Sequence, residues 1–291
     1  MLVYILLQLV VVVAVLTLVG IFAFIGRYRL RVTLDEWPGR LVEAVPVASI
    51  LVFILLMNRH YRQEAPELER RIGVHATEYI EALEGEWILV FQDTFQWLSS
   101  VLGVDAIGAG NLYFSFMYVY GYVFLLVFPV VAYFALPNTR PLRELLVAYT
   151  VNYGLGLVFY TLVIAFGPRN SFPHLVEATM LYDSYPSAQV LTREVNRNTN
   201  VFPSLHTSLA ATVAMFAYLT RDIYRRWFPV AGLLALSVAI STMYLAIHWA
   251  VDVVAGIALA ALSVVVARIV VGRYAPSVRL IGWVRTRLGR V

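Results

Sequence analysis

Two histidines and an aspartate are placed where they could do nucleophilic or acid–base chemistry. His248 and Asp252 are four residues apart at the predicted start of a helix, so their side chains point the same way and can touch. A carboxylate bonded to one imidazole nitrogen fixes the tautomer and leaves the other nitrogen free to attack. The spacing therefore indicates a nucleophilic histidine with an orienting carboxylate, while an isolated pair of this kind also suits a structural turn.

The second histidine, His206, lies one turn into another predicted helix, which Pro203 and Ser204 open. The N-terminal amides of such a helix and the positive end of its dipole form an anion site. Arginine hydrogen-bonds phosphate oxygens in a planar, bidentate geometry. The combination favours phosphate chemistry, with three candidate phosphate-binding arginines nearby in the sequence: Arg169, Arg193 and Arg197.

The composition decides which kind of fold must position these groups. Of the 291 residues, 60% are hydrophobic and 14% charged, and the mean hydropathy is +0.75; soluble domains carry about a quarter charged residues. A soluble enzyme, a disordered chain and a nucleic-acid binder are therefore excluded. Cysteine and lysine are both absent, which excludes disulfides, thiolate metal sites and cysteine or lysine nucleophiles.

Seven apolar segments have roughly the length needed to cross a bilayer. They are Leu2 to Ile25, Leu41 to Met57, Tyr113 to Leu136, Leu145 to Gly167, Leu205 to Leu219, Phe228 to Ile247 and Trp249 to Val271. A tight turn near His248 must divide the last two, because together they exceed twice the bilayer thickness. The sequence thus predicts an all-α polytopic membrane protein with about seven transmembrane helices.

The distribution of arginine predicts the orientation. With the N-terminus outside, 15 of the 22 arginines fall on the inner side, and the C-terminal tail is cytoplasmic. His206, His248 and Asp252 then lie at the outer face, most simply of the cell membrane. A predicted division follows: residues 1–112 hold the first helices and an acidic outer segment, 113–271 the catalytic core and 272–291 a basic tail.

The outer segment itself predicts an amphipathic helix, on the membrane surface or packed across the bundle. Its apolar stripe is Ile72, Ala76, Ile80, Leu83, Trp87, Phe91, Phe95 and Leu98, and the residues off the stripe include Glu78, Glu81, Glu84 and Asp93. In the third apolar segment, aromatic residues around Tyr118 and Tyr122 are interpreted as packing or lipid-facing surface.

Two motifs carry a resemblance to a known family. Residues 203–208 (Pro-Ser-Leu-His-Thr-Ser) and 248–256 (His-Trp-Ala-Val-Asp-Val-Val-Ala-Gly) resemble the second and third signature motifs of the PAP2 superfamily, the type 2 phosphatidic acid phosphatases and their relatives. The resemblance implies a PAP2-like helical bundle. It also implies that His248 is the nucleophile, Asp252 its partner, His206 the general acid and base, and Ser204 a phosphate ligand.

The departures from the phosphatase motifs point to one branch of the superfamily. The first motif normally holds a lysine, and its nearest counterpart here is Gly167-Pro168-Arg169. Thr242 stands where the third motif usually has arginine, and Leu205 where phosphatases often have glycine. These forms resemble the inositol-phosphotransferase-like branch, which includes the inositol phosphorylceramide synthases.

The resemblance implies a phosphatase or phosphotransferase that needs no metal or cofactor. Its substrate would be a phospholipid or isoprenoid-type lipid phosphate, and its acceptor either water or a polyol or sugar hydroxyl. A transporter using His206, His248 and Asp252 as a proton relay is the alternative, and it predicts broken helices in paired halves. An intramembrane serine protease is disfavoured because the sequence lacks a nucleophile elbow near any histidine.

Overall fold

The computed structural model describes residues 2–64, 72–172 and 200–273, which are mainly helical, with connecting turns and one pair of two-residue strands. The chain starts with α1 (Leu2–Gly20), a π-helical turn (Ile21–Ile25) and the long α2 (Arg27–Glu64). Residues 74–102, here called the crossing segment, form β1 (Val74–His75), α3 (Thr77–Glu84), a 3₁₀ turn (Gly85–Leu89) and α4 (Val90–Leu102).

The part of the chain after the crossing segment forms the bundle around the candidate site. Its elements are α5 (Ala106–Phe116), a π-helical turn (Met117–Gly121), α6 (Tyr122–Phe134), α7 (Arg140–Leu162), β2 (Val163–Ile164), α8 (Pro168–Ser171), α9 (Leu205–Leu219), α10 (Trp227–Tyr244) and α11 (Ala250–Arg273). The predicted turn between the last two helices is confirmed at residues 245–249.

Several helices are long and apolar enough to cross a membrane. Among the described residues there are six: Val3–Ile25, Arg27–Tyr61, Ala106–Phe134, Arg140–Leu162, Trp227–Tyr244 and Ala250–Arg273. The chain is therefore an all-α integral membrane protein, as predicted. The count of seven spans is not confirmed, because the fifth predicted segment forms α9, which has only 15 residues.

The second predicted segment is the middle of a much longer helix. α2 continues through Pro38 and Pro46 and includes the charged residues between the first and second predicted segments. The reason is packing: the side chain of Arg40 is buried, and its guanidinium donates to the Phe134 carbonyl (3.1 Å) and to Glu36 (2.9 Å). The charged half of α2 thus covers the C-terminal end of α6 and stays helical.

A large apolar core holds α6, α7, α9 and α10 together. Asn152 of α7 crosses this core, where its Nδ2 donates to Thr212 Oγ1 of α9 at 3.1 Å. Ser208 Oγ, also on α9, donates to Asn152 Oδ1. Because polar bonds between membrane helices fix their relative rotation, α7 determines the direction in which α9 presents His206.

The crossing segment packs across the bundle, the second of its two predicted positions. It is helical over most of its length, but the helix is divided at Gly85, whose φ of +56° favours glycine. β1 pairs in parallel with β2, and Gln92 Nε2 donates to the Tyr244 carbonyl at the end of α10 (2.9 Å). The segment therefore contacts the end of α7 through β2 and the α10 end of the turn that carries His248.

Candidate active site

The turn between α10 and α11 presents His248 at the start of α11. Two residues after the end of α10, Ala246 is in the left-handed region (φ 51°). This conformation terminates a helix and is uncommon for a residue other than glycine. The carbonyl of Thr242 then accepts hydrogen bonds from the backbone N–H groups of Ile247 and His248, both at 3.0 Å. The backbone of His248 is thus anchored to α10, whereas its side chain faces α11.

The predicted contact between His248 and Asp252 is present in the structure. His248 Nδ1 lies 3.4 Å from Asp252 Oδ2, and the two residues are 4% and 0% exposed. Asp252 Oδ2 also accepts the backbone N–H of Trp249 at 2.9 Å, so the carboxylate is held in place by the helix start itself. The carboxylate on Nδ1 leaves Nε2 as the nitrogen that can act on a ligand.

The start of α9 is joined to the start of α11. Ser204 is the N-cap of α9: its Oγ accepts the backbone N–H of Thr207 (3.3 Å) and donates to Thr207 Oγ1 (3.0 Å). The backbone N–H of Ser204 donates to the Asp252 carbonyl (3.0 Å). Ser204 therefore positions the two histidine-bearing helix ends, and its role as a phosphate ligand stays a prediction.

His206 faces His248 from the first turn of α9. The ring centroids are 6.4 Å apart, so both imidazoles border the same space at the junction of the two helix ends. Two histidines on opposite sides of one site suit a reaction in which one attacks and the other transfers protons.

Two tyrosines that the sequence analysis interpreted as packing or lipid-facing surface pack on His206. Tyr118 stacks on the imidazole with centroids 4.5 Å apart and an interplanar angle of 22°, and the Tyr122 centroid lies at 4.4 Å. Tyr118 lies within the π-helical turn Met117–Gly121 and Tyr122 directly follows it. The sequence interpretation rested on aromatic residue type, which does not separate these tyrosines from ordinary packing residues. Together they hold the plane of the His206 ring.

The Gly-Pro-Arg motif lies against the turn that carries His248. The backbone N–H of Arg169 donates to the Ala246 carbonyl at 3.1 Å. A Cβ on Gly167 would be 2.2 Å from the Ile247 carbonyl oxygen, so only glycine permits this approach. The structure thus brings the backbone of Arg169 next to the His248 turn, while Arg193 and Arg197 lie outside the described residues.

Sequence reasoning also missed Glu84 as a residue of the site. Its carboxylate accepts the backbone N–H groups of Ala250 and Val251, the first two residues of α11. The sequence placed Glu84 on the polar side of an amphipathic helix, and no local signal distinguishes it from Glu78 and Glu81. Among the described residues, histidine and acidic side chains do not form a group of three that could hold a metal ion.

Gly256 is expected to be required for the junction of α9 and α11. A Cβ at this position would lie 2.5 Å from the Ser204 carbonyl oxygen and 3.3 Å from the Ser208 nitrogen. We expect Gly256→Ala to force the helices apart and to destabilise the protein by about 1–3 kcal/mol, as overpacking does. The apparent melting temperature in detergent measures this effect.

The matched control for Gly256→Ala is Gly232→Ala. A Cβ on Gly232 of α10 meets nothing within 4 Å, so alanine should leave the melting temperature unchanged or raise it slightly. Equal melting temperatures for the two variants would contradict a close approach at Gly256.

Comparison with known proteins identifies a family from the part of the chain that carries the candidate site. A family model of the PAP2 superfamily matches residues 87–266, more than half of the chain, and this range contains Arg169, His206, His248 and Asp252. Neither the curated proteins nor the solved structures that were compared include a match. With the family model covering the helices that carry both histidines, the chain belongs to the PAP2 superfamily.

Proposed function

We propose that the protein is a membrane-embedded phosphoryl-transfer enzyme that acts on a lipid phosphate or phosphodiester through a phosphohistidine on His248. Membership of the PAP2 superfamily suggests phosphatase or phosphotransferase activity. The observation that carries the proposal is the buried His248–Asp252 pair, with the His206 ring 6.4 Å from that of His248. This is the arrangement of a nucleophile, its orienting partner and a separate proton donor.

In the first step, Nε2 of His248 attacks the phosphorus while the bond between phosphorus and the lipid oxygen breaks. His206 gives its proton to the leaving oxygen, and Asp252 stabilises the Nδ1–H of the imidazole that becomes positively charged. In the second step, His206 removes a proton from water or an alcohol, whose oxygen attacks the phosphorus as the P–N bond breaks. His248 is then restored.

Phosphoryl transfer depends on positioning and on stabilising charge at the phosphate oxygens. We assign this part to Arg169, to Arg193 and Arg197 from the segment outside the described residues, and to Ser204 with the N-terminal amides of α9. Support for Arg169 comes from its backbone contact with the His248 turn. This chemistry requires no metal, so activity should survive EDTA.

The substrate class follows from the membrane setting. Both histidines are carried by helix ends within a bundle of membrane-spanning helices, so a phospholipid or isoprenoid-type lipid phosphate can reach them from the bilayer. The inositol-phosphotransferase-like forms at Gly167-Pro168-Arg169, Leu205 and Thr242 favour an alcohol over water as the acceptor. The arginine distribution favours a plasma-membrane protein with its N-terminus and site outside.

The proposal is tested with purified protein in detergent. Phosphatidic acid labelled in its phosphate is supplied with and without glycerol as an acceptor, in the presence and absence of EDTA. We expect labelled inorganic phosphate from a phosphatase, and labelled glycerol phosphate from a phosphotransferase. Phosphatidylinositol and an isoprenoid phosphate serve as further substrates. The proposal would be contradicted if none of the three substrates released or transferred its phosphoryl group.

A further inference from the structure

The first turn of α11 has backbone N–H groups that its own residues cannot all satisfy. A helix leaves its first N–H groups without intrahelical partners, and a cap is normally supplied by a Ser, Thr, Asp or Asn at the N-cap position. Here that position is Trp249, which has no oxygen in its side chain. Asp252 accepts the N–H of Trp249, which is only one half of a capping box.

Glu84 supplies acceptors for the next two N–H groups from a distant part of the chain. Its Oε2 accepts the N–H of Ala250 at 2.8 Å, and its Oε1 accepts the N–H of Val251 at 2.5 Å. Glu84 is 6% exposed although it belongs to the acidic outer segment. Its negative charge therefore lies against the positive end of α11, directly beside the turn that carries His248.

The crossing segment holds Glu84 in this position from both sides. Before it, the Ala76 N–H donates to the Ile164 carbonyl (2.8 Å). After it, Ile88 and Leu89 are buried in a cluster with Trp249. Glu84 is thus fixed by its surroundings, and it precedes residue 87, where the match to the family model begins.

We propose that Glu84 is a positioning residue of the active site, which completes the cap of α11 and thereby fixes the backbone that carries His248 and Asp252. Glu84 and Asp252 accept hydrogen bonds from the N–H groups of residues 249–251, so these amides are not available to the substrate phosphate. The backbone amides that bind the phosphate are therefore those at the start of α9. The catalytic part of this inference rests on the proposed function.

Hydrogen–deuterium exchange tests the cap without any assay of activity. In full-length protein in detergent, Glu84→Ala should increase the exchange rate of the Ala250 and Val251 amides about tenfold or more, because each loses its acceptor. Glu84→Gln keeps one acceptor oxygen and should give a smaller increase. Glu78→Gln is the matched control: it removes the same charge from an exposed position of α3 and should leave both amides unchanged.

The kinetic test separates a positioning role from a merely structural one. For folded Glu84→Ala protein, we expect kcat to fall about tenfold, equivalent to about 1.4 kcal/mol, with KM unchanged and partial rescue by glutamine. Unchanged exchange in Glu84→Ala would overturn the cap. Faster exchange with unchanged kcat would overturn the catalytic part. If even the unmodified protein transfers no phosphoryl group, the proposed function fails while the exchange result still decides the cap.

Discussion

Replacing His248 with alanine is expected to lower the rate of phosphoryl transfer by about 10⁴-fold or more, the range seen when a covalent nucleophile is removed. The variant has no atom that can form the P–N bond, and Asp252 is too deeply buried to reach the phosphorus in its place. Single-turnover reactions with labelled phosphatidic acid, quenched in base, measure both the rate and the phosphohistidine. The label should be stable in base, lost in acid and absent from the variant.

Two further variants make this result specific. His248→Gln keeps most of the side-chain volume in the buried turn, so its loss of activity cannot be ascribed to a cavity. His60→Ala removes an exposed histidine of α2 and should retain full activity and labelling. Full activity in His248→Ala, with label on another residue, would end the phosphohistidine mechanism proposed above.

The second large effect is expected for His206→Gln, and its size should depend on the leaving group. A lipid alkoxide is a poor leaving group and needs a proton as it departs, so general-acid loss should slow the first step about 10²–10⁴-fold. Nitrophenolate leaves without a proton. With p-nitrophenyl phosphate, the first-turnover burst of nitrophenolate should therefore be nearly retained, whereas steady-state turnover falls because the base of the second step is missing.

Rapid-mixing measurements of the two substrates distinguish the roles. Equal losses of the burst with nitrophenyl phosphate and of the first step with the lipid would indicate that His206 binds or orients the phosphoryl group rather than protonating the leaving oxygen. His60→Ala provides a control, since it removes an exposed histidine of α2. This variant should resemble the unmodified protein with both substrates.

Local spacing was sufficient to predict part of the site. The four-residue separation of His248 and Asp252 fixed their contact, because residues at that spacing share one face of a helix. The proline and serine before His206 predicted the start of α9, where Ser204 is the N-cap. Long apolar runs likewise predicted the membrane-spanning helices, since each must satisfy its own backbone within the bilayer.

The contacts that the sequence did not predict join distant parts of the chain. Glu84 differs from its acidic neighbours only because Gly85 redirects the backbone and α11 lacks its own cap, and neither fact is visible around residue 84. Tyr118 lies within a π-helical turn, and its contact with His206 joins two helices that are far apart in the sequence. The predicted second segment began at Leu41, after the charged residues that tertiary contacts of Arg40 keep helical. The roles of the site residues themselves stay predictions.

The shortness of α9 has a consequence for how deep the reaction takes place. Fifteen residues span about 22 Å, some 8 Å less than the hydrocarbon core of a typical bilayer. α9 ends beside the charged residues Arg221 and Asp222, and we expect that end to lie at one membrane surface. His206, at the other end, then lies below the opposite surface. A lipid must lower its phosphate by roughly this distance, or the bilayer must thin, so activity should depend on hydrocarbon thickness.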